Sequence, residues 1–186
     1  AGAGLYRIDS EEARTTGEAE KGLLRILDRE DAPSVLKPYL QCCRTLCTKA
    51  LMPGSGEIVR SFSRPQDRLS LMEKHPQEIK ALEGALGAYR NVRVLYRDGW
   101  EGLVALTPPS IRRGFCLVDP SYEEPADFNR AAQVLEAVAR RWNVGILCLW
   151  YPLVSRRSQE LAALKIALES IGGEGLCAEL CVRPLN

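Results

Sequence analysis

The stretch RGFCLVDPSYEEPADFNRAAQVLEAVARRWNVGILCLWYPL, residues 113–153, sets the fold class. An apolar run, Phe115 to Val118, stops at Asp119-Pro120. A helical repeat follows, with Phe128, Leu135, Val138 and Trp142 on one face. A second apolar run then fills 144–153. Strands this apolar read as buried on both faces, which predicts a parallel sheet covered by helices.

The alternation extends in both directions from this stretch. RLSLMEK (68–74) reads as a short strand, and HPQEIKALEGALGAY (75–89) as a helix with Pro76 in its first turn. VRVLYRDG (92–99) is a strand, WEGLVAL (100–106) a short helix, SQELAALKIALESI (158–171) a helix, and GLCAELCVRPL (175–185) a last strand. Residues 10–51 read differently, as helix. Leu23, Leu24, Ile26 and Leu27 form one stripe. Val35, Leu36, Tyr39, Leu40, Cys43, Leu46 and Cys47 recur at helical intervals, with Pro38 starting or kinking that second helix. MPGSGEIVRSF (52–62) reads as a turn and a short helix with Ser55 as its N-cap.

A chain of 186 residues suits one domain with a small insert. The apolar share of 46% and charged share of 26% are those of a globular protein. A net charge of +1 excludes a generally basic nucleic-acid coat and leaves room for a local patch. No apolar run is long enough to span a bilayer. Seven cysteines beside a single histidine, without finger-like spacing, read as reduced thiols of an intracellular protein. The chain opens on AGAGLYR, a glycine loop of the kind that follows a strand, so a preceding first strand is expected to be missing.

In such sheets ligands bind at the carboxyl ends of the strands. Gly2 and Gly4 allow close backbone approach to a ligand. Glu73 ends one strand, placed to accept from ribose hydroxyls. Asp98 ends the next, placed to take an adenine amino group. Asp119 ends the third. Singly, each is more often a turn or capping residue. Three in succession point to an adenosyl ligand. Asp119-Pro120-Ser121-Tyr122 then suits an enzyme acting on the exocyclic amine of adenine. The carboxylate and the Pro120 carbonyl accept the two amine hydrogens, and Tyr122 stacks on a base taken out of its helix. The bland alternative is a plain turn with a half-buried tyrosine.

AGAG, PGS, LMEKHP, RDGWEGL, LVDPSYE, DF and GILCLWYPL occur in the order seen in bacterial 23S rRNA adenine-N(6) methyltransferases of the RlmJ type, and the chain resembles that family over nearly its whole length. The resemblance implies a Rossmann-like class I methyltransferase sheet with helices on both faces, occupying residues 1–9 and 52–186, with a helical insert at 10–51. It implies S-adenosylmethionine as methyl donor and large-subunit ribosomal RNA as partner; no metal is required, no membrane is expected, a monomer is favoured with the oligomeric state open, and the cytoplasm is the default setting. Ala1, Gly2, Gly4, Ser55, Glu73, Asp98, Gly99 and Asp119 are then cofactor contacts, and Asp119, Pro120 and Tyr122 the catalytic set. Ser121 stands where the common motif has a second proline. The family also carries an N-terminal segment before AGAG and a closing part of the sheet, both expected to lie beyond this chain. The alternatives are a DNA adenine methyltransferase or a non-catalytic nucleic-acid-binding domain.

His75 reads as a helix-entry residue. Cys42, Cys43 and Cys47, like Cys177 and Cys181, read as packing positions rather than zinc ligands. Arg112–Arg113 and Arg156–Arg157 are candidates for RNA phosphates, or equally for solvated loop ends. Trp150-Tyr151-Pro152 reads as a wall of the base pocket or, equally, as core.

Overall fold

The computed structural model describes residues 1–181, leaving aside the side chains of residues 12, 16 and 18. The class is α/β, and the chain divides into two compact units, residues 1–98 and 99 onward. The described strands pair two by two in three ladders.

In the first unit, β3 (Leu69–Glu73) and β4 (Val92–Tyr96) run parallel, in register from Leu69↔Val92 to Glu73↔Tyr96. The crossover is α6 (Pro76–Leu86), with His75 at its N-cap and Pro76 in its first turn, where a missing N–H costs nothing. Ile79, Leu82 and Leu86 lie on its buried stripe. The sequence reading found all three of these elements. It missed β1 (Leu5–Arg7) and β2 (Leu51–Pro53), an antiparallel pair with Tyr6 opposite Met52.

Between β1 and β2 the expected helical stretch is present but broken into α1 (Glu11–Thr16), α2 (Glu18–Lys21), α3 (Leu23–Ile26) and α4 (Lys37–Cys47). Gly17 ends α1 in the left-handed conformation that glycine adopts without penalty, its N–H on the Ala13 carbonyl. Pro38 sits in the first turn of α4. Leu23, Leu27, Leu40 and Cys43 form a separate buried cluster. Val35, assigned to the stripe from its spacing, is instead 80% exposed, because it falls in a 3-10 turn (Ser34–Leu36) before α4.

The helix α5 (Ser55–Phe62) is capped by Gly54, so Ser55 is its first residue and not the N-cap expected from its side chain. Gly54 is held extended by donating its N–H to the Gly4 carbonyl at 2.8 Å.

In the second unit, α7 (Gly99–Leu106) precedes β5 (Phe115–Val118), α8 (Ala126–Arg141), β6 (Ile146–Leu149) and α9 (Ser158–Ser170). β5 and β6 are parallel, with Phe115 opposite Ile146 and Val118 opposite Leu149. Phe128, Leu135 and Val138 of α8, and Trp142 just past it, are buried as the helical spacing requires. Leu103, Val118, Leu135, Val138 and Trp142 make one cluster. Tyr122, Phe128, Ala131, Ala132 and Leu164 make another. Along β5 and β6 exposure alternates: Leu147 and Leu149 pack against the first cluster, whereas Phe115, Leu117 and Ile146 are exposed.

The last strand expected at 175–185 does not form over 175–181, which run without a ladder; 182–185 lie outside the described residues. That segment is tied down by side chains instead. Tyr151 donates to Glu179 Oε1 at 2.7 Å, and Lys165 Nζ pairs with the same oxygen at 2.5 Å. Among the described residues no helix is long and apolar enough to cross a membrane.

Candidate active site

The strand-end acids fall in both units. Ala1, Gly2, Gly4, Ser55, Glu73 and Asp98 belong to the first. Gly99, Asp119, Pro120 and Tyr122 belong to the second.

Glu73 closes β3 and gathers the glycine loop. Its Oε2 accepts from the Ala1 nitrogen at 2.9 Å and the Gly2 N–H at 2.8 Å. Its Oε1 accepts from the N–H groups of Lys74 and His75, both at 2.8 Å. Burial opposes its ionisation, but the N–H groups of His75 and Gly2 and the amino group of Ala1 outweigh it and hold the pKa down to about 2. Glu73 is therefore a fixed carboxylate at neutral pH, as an acceptor for hydroxyl groups must be. Both oxygens already serve the backbone, Oε2 that of Ala1 and Gly2 and Oε1 that of Lys74 and His75.

The glycine loop is packed closely against its own neighbours. Gly2 and Gly4 hold φ of +67° and +80°, where side chains other than glycine are strained. A Cβ on Gly4 would stand 2.9 Å from Leu82 Cδ1. Gly4→Ala is expected to lower stability by about 2 kcal/mol, left-handed strain and the Leu82 contact adding together. Chemical denaturation measures it, and an unchanged midpoint would contradict this account of the loop.

Two residues that the sequence reading did not single out shape the same loop. Tyr6 Oη accepts the Ala3 N–H at 3.2 Å, and a Cβ on Gly54 would lie 2.7 Å from Tyr6 Cε2 and 3.1 Å from the Gly4 carbonyl oxygen. The Tyr-Arg after AGAG and the glycine after Pro53 were the available signals. Asp98 follows β4 and meets Lys74 Nζ at 3.5 Å. Ser55 is exposed at the start of α5. A Cβ on Gly99, the first residue of α7, would meet nothing within 4 Å.

In the second unit, Asp119 follows β5 directly. Its carboxylate is exposed and makes no hydrogen bond among the described residues, while partial desolvation raises its pKa. Pro120 is next, and its ring fixes the backbone. Tyr122 holds φ +52°, a left-handed conformation that costs a tyrosine about 1–2 kcal/mol. Such strain is kept where surrounding contacts over-determine it. Here the ring is 7% exposed, lies 4.5 Å from the Phe128 ring, and its hydroxyl donates to the Trp150 carbonyl at 2.9 Å. Burial, with the Asp119 and Asp127 charges adding to it, pushes its phenol well above the usual range, so it stays a donor. In this conformation the ring offers a base no open face.

Of the arginines flagged as phosphate contacts, Arg157 pairs with Glu160 at 3.2 Å and Arg112 donates to the Arg141 carbonyl at 3.5 Å. All seven cysteines are free thiols.

The family described as Ribosomal RNA large subunit methyltransferase D, RlmJ, matches residues 1–186. Ribosomal RNA large subunit methyltransferase J of Escherichia coli K12 is 36% identical over 188 residues, covering 99% of this chain and 66% of the relative. The protein of that name from Haemophilus influenzae Rd is 34% identical over 188 residues, covering 98% and 66%. The chain thus spans just under two thirds of the length of these relatives. A crystal structure of a Legionella pneumophila protein superposes with a TM-score of 0.83 at 28% identity, over 92% of this chain and 63% of that one.

Proposed function

Starting from a chain that belongs to the RlmJ family of ribosomal RNA large subunit methyltransferases, we propose that the full-length protein methylates the exocyclic amine of an adenine in 23S rRNA, using S-adenosylmethionine. The finer reading of the fold is a Rossmann-like class I methyltransferase with residues 10–51 as its helical insert. The observation that carries the reading is the Asp119–Tyr122 loop. It presents an unengaged carboxylate at a strand's carboxyl end, beside a tyrosine held at positive φ.

The adenine amine is a poor nucleophile, because its lone pair is delocalised into the ring. Asp119 accepts one of its hydrogens and the Pro120 carbonyl the other, which draws the lone pair out of conjugation and aims it. Tyr122 fixes this loop and borders the base. The donor, when bound, supplies an electrophilic methyl group on a sulfonium. Glu73, Gly2, Gly4, Ala1, Ser55, Asp98, Gly99 and Asp119 are the residues that would hold it. The glycines supply the positive-φ turn of the loop, and the Glu73 carboxylate supplies an ionised acceptor for hydroxyls. In the in-line attack the N–C bond would form as the methyl–sulfur bond breaks, its electron pair leaving on sulfur as a neutral thioether, and the amine's surplus proton would pass to Asp119 or to solvent. Most of the acceleration then comes from orientation, a contribution that reaches about 7–11 kcal/mol in well-aligned systems.

The substrate and setting follow from the same reading: large-subunit rRNA, a cytoplasmic monomer, and no metal in the chemistry. The test is a competition. Unmodified 23S rRNA and DNA of matched sequence are offered together with labelled S-adenosylmethionine. The label is expected in the RNA; label in the DNA would move the assignment to a DNA adenine methyltransferase, and label in neither to a binding domain.

A further inference from the structure

Resting on that methyl-transfer reading, we propose that the indole of Trp150 is the aromatic surface that receives the target base beside Asp119, with Tyr122 as the positioning residue that holds it there. The β5–β6 register carries the inference. Phe115 pairs with Ile146 and Leu117 with Cys148, and the ladder continues one step further through the Trp150 N–H on the Val118 carbonyl at 3.0 Å. That bond sets Trp150 directly opposite Asp119. Side chains alternate between the faces of a strand, and paired residues share a face. Asp119 therefore projects with Leu117 and Phe115, and Trp150 with Cys148 and Ile146, on the exposed face of the pair.

Three further observations single out Trp150 on that face. It stands at the carboxyl end, next to the only loop of the second unit to which the proposed chemistry is assigned. Its side chain is 52% exposed, whereas Tyr122 is 7% exposed and spends its ring on Phe128. Its backbone is fixed at both polar groups, the N–H by Val118 and the carbonyl by the Tyr122 hydroxyl at 2.9 Å. A large, half-exposed indole on a fixed backbone, opposite a carboxylate that makes no hydrogen bond among the described residues, is suited to a flat π-system, and stacking on an aromatic tolerates any base. The two aromatics are linked, their ring centroids 6.3 Å apart. The loop that orients the amine thus also sets the surface on which the base rests.

The test uses the full-length protein, unmodified 23S rRNA, and the variants Trp150→Ala, Trp150→Phe and Asp119→Ala. Trp150→Ala is expected to raise KM for RNA about tenfold or more, with kcat within a few fold and the Kd for S-adenosylmethionine unchanged by calorimetry. Trp150→Phe is expected to recover most of the loss. Tryptophan fluorescence, read on RNA addition without the donor, should be quenched in the parent and largely unquenched in Trp150→Phe, although Trp100 and Trp142 remain. A wild-type KM in Trp150→Ala, equal quenching in Trp150→Phe, or a parallel weakening of donor binding would overturn the proposal. If Asp119→Ala loses turnover while Trp150→Ala keeps its KM, this inference alone fails. If Asp119→Ala turns over normally, the methyl-transfer reading of the loop fails with it.

Discussion

Asp119→Ala in the full-length protein is expected to reduce methyl transfer to rRNA by about 10²–10⁴-fold, while the protein remains folded. The carboxylate is exposed and makes no hydrogen bond among the described residues, so its removal breaks none and leaves no buried cavity. Surface changes of this kind usually fall within about 0.5 kcal/mol of neutral. Whatever rate is lost therefore reports on orientation of the amine rather than on folding. Asp119→Asn sharpens the point. It keeps the shape and an acceptor, since its amide oxygen can still take one amine hydrogen, so it should retain clearly more activity than Asp119→Ala. Single-turnover methylation with a circular dichroism check separates the two effects. Retention of more than a third of the parent rate by Asp119→Ala would remove Asp119 from the mechanism.

Glu73→Gln has the second large expected effect, on stability and on donor binding together. The folded carboxyl group has its pKa held near 2, against an ordinary value of 4.5. A depressed pKa means that the ionised form is favoured by the fold. The associated stability is present in full above pH about 4.5 and is lost as pH falls towards 2. Leaving out the Ala1 ammonium, the bonds from the Gly2, Lys74 and His75 N–H groups make the loss on substitution about 1–3 kcal/mol at pH 7. The glutamine cannot accept them all, because one of its two terminal atoms is a donor facing N–H groups. The variant should unfold at lower denaturant than the parent at pH 7, and the gap should narrow steadily below pH 4. Calorimetry should show weaker donor binding. A gap that is the same at pH 7 and pH 3 would mean that the charge of Glu73 contributes nothing to the fold.

Elements with long apolar patterns could be read from the sequence, and elements fixed by distant pairing could not. β3, α6, β4, β5, α8, β6 and α9 each carry their own periodicity, and each lies where the pattern puts it. β1 and β2 are three residues long, LYR and LMP, and their pairing joins Leu5 to Pro53. Nothing local in either tripeptide marks a strand. The segment from 175 has an apolar composition suited to a strand, but a ladder requires a partner, and over 175–181 Tyr151 and Lys165 hold it by Glu179 instead.

The candidate site divides in the same way. Residue types could be read: a glycine loop, an acid at the end of each strand, a tyrosine after Asp119-Pro. Their bonding could not. The sequence suggested ligand hydroxyls for Glu73, while the folded chain supplies four backbone nitrogens. It suggested an open stacking face on Tyr122, while the ring is packed on Phe128 with its hydroxyl on Trp150. The alignment of Trp150 with Asp119 depends on strand register, which neither strand specifies alone.

The most direct measurement digests 23S rRNA to nucleosides after incubation with the full-length protein and isotope-labelled S-adenosylmethionine, and weighs the products. The account predicts N6-methyladenosine carrying the label, formed by the parent protein and absent with Asp119→Ala. Label in any other nucleoside, or the same yield of N6-methyladenosine from both proteins, would contradict it.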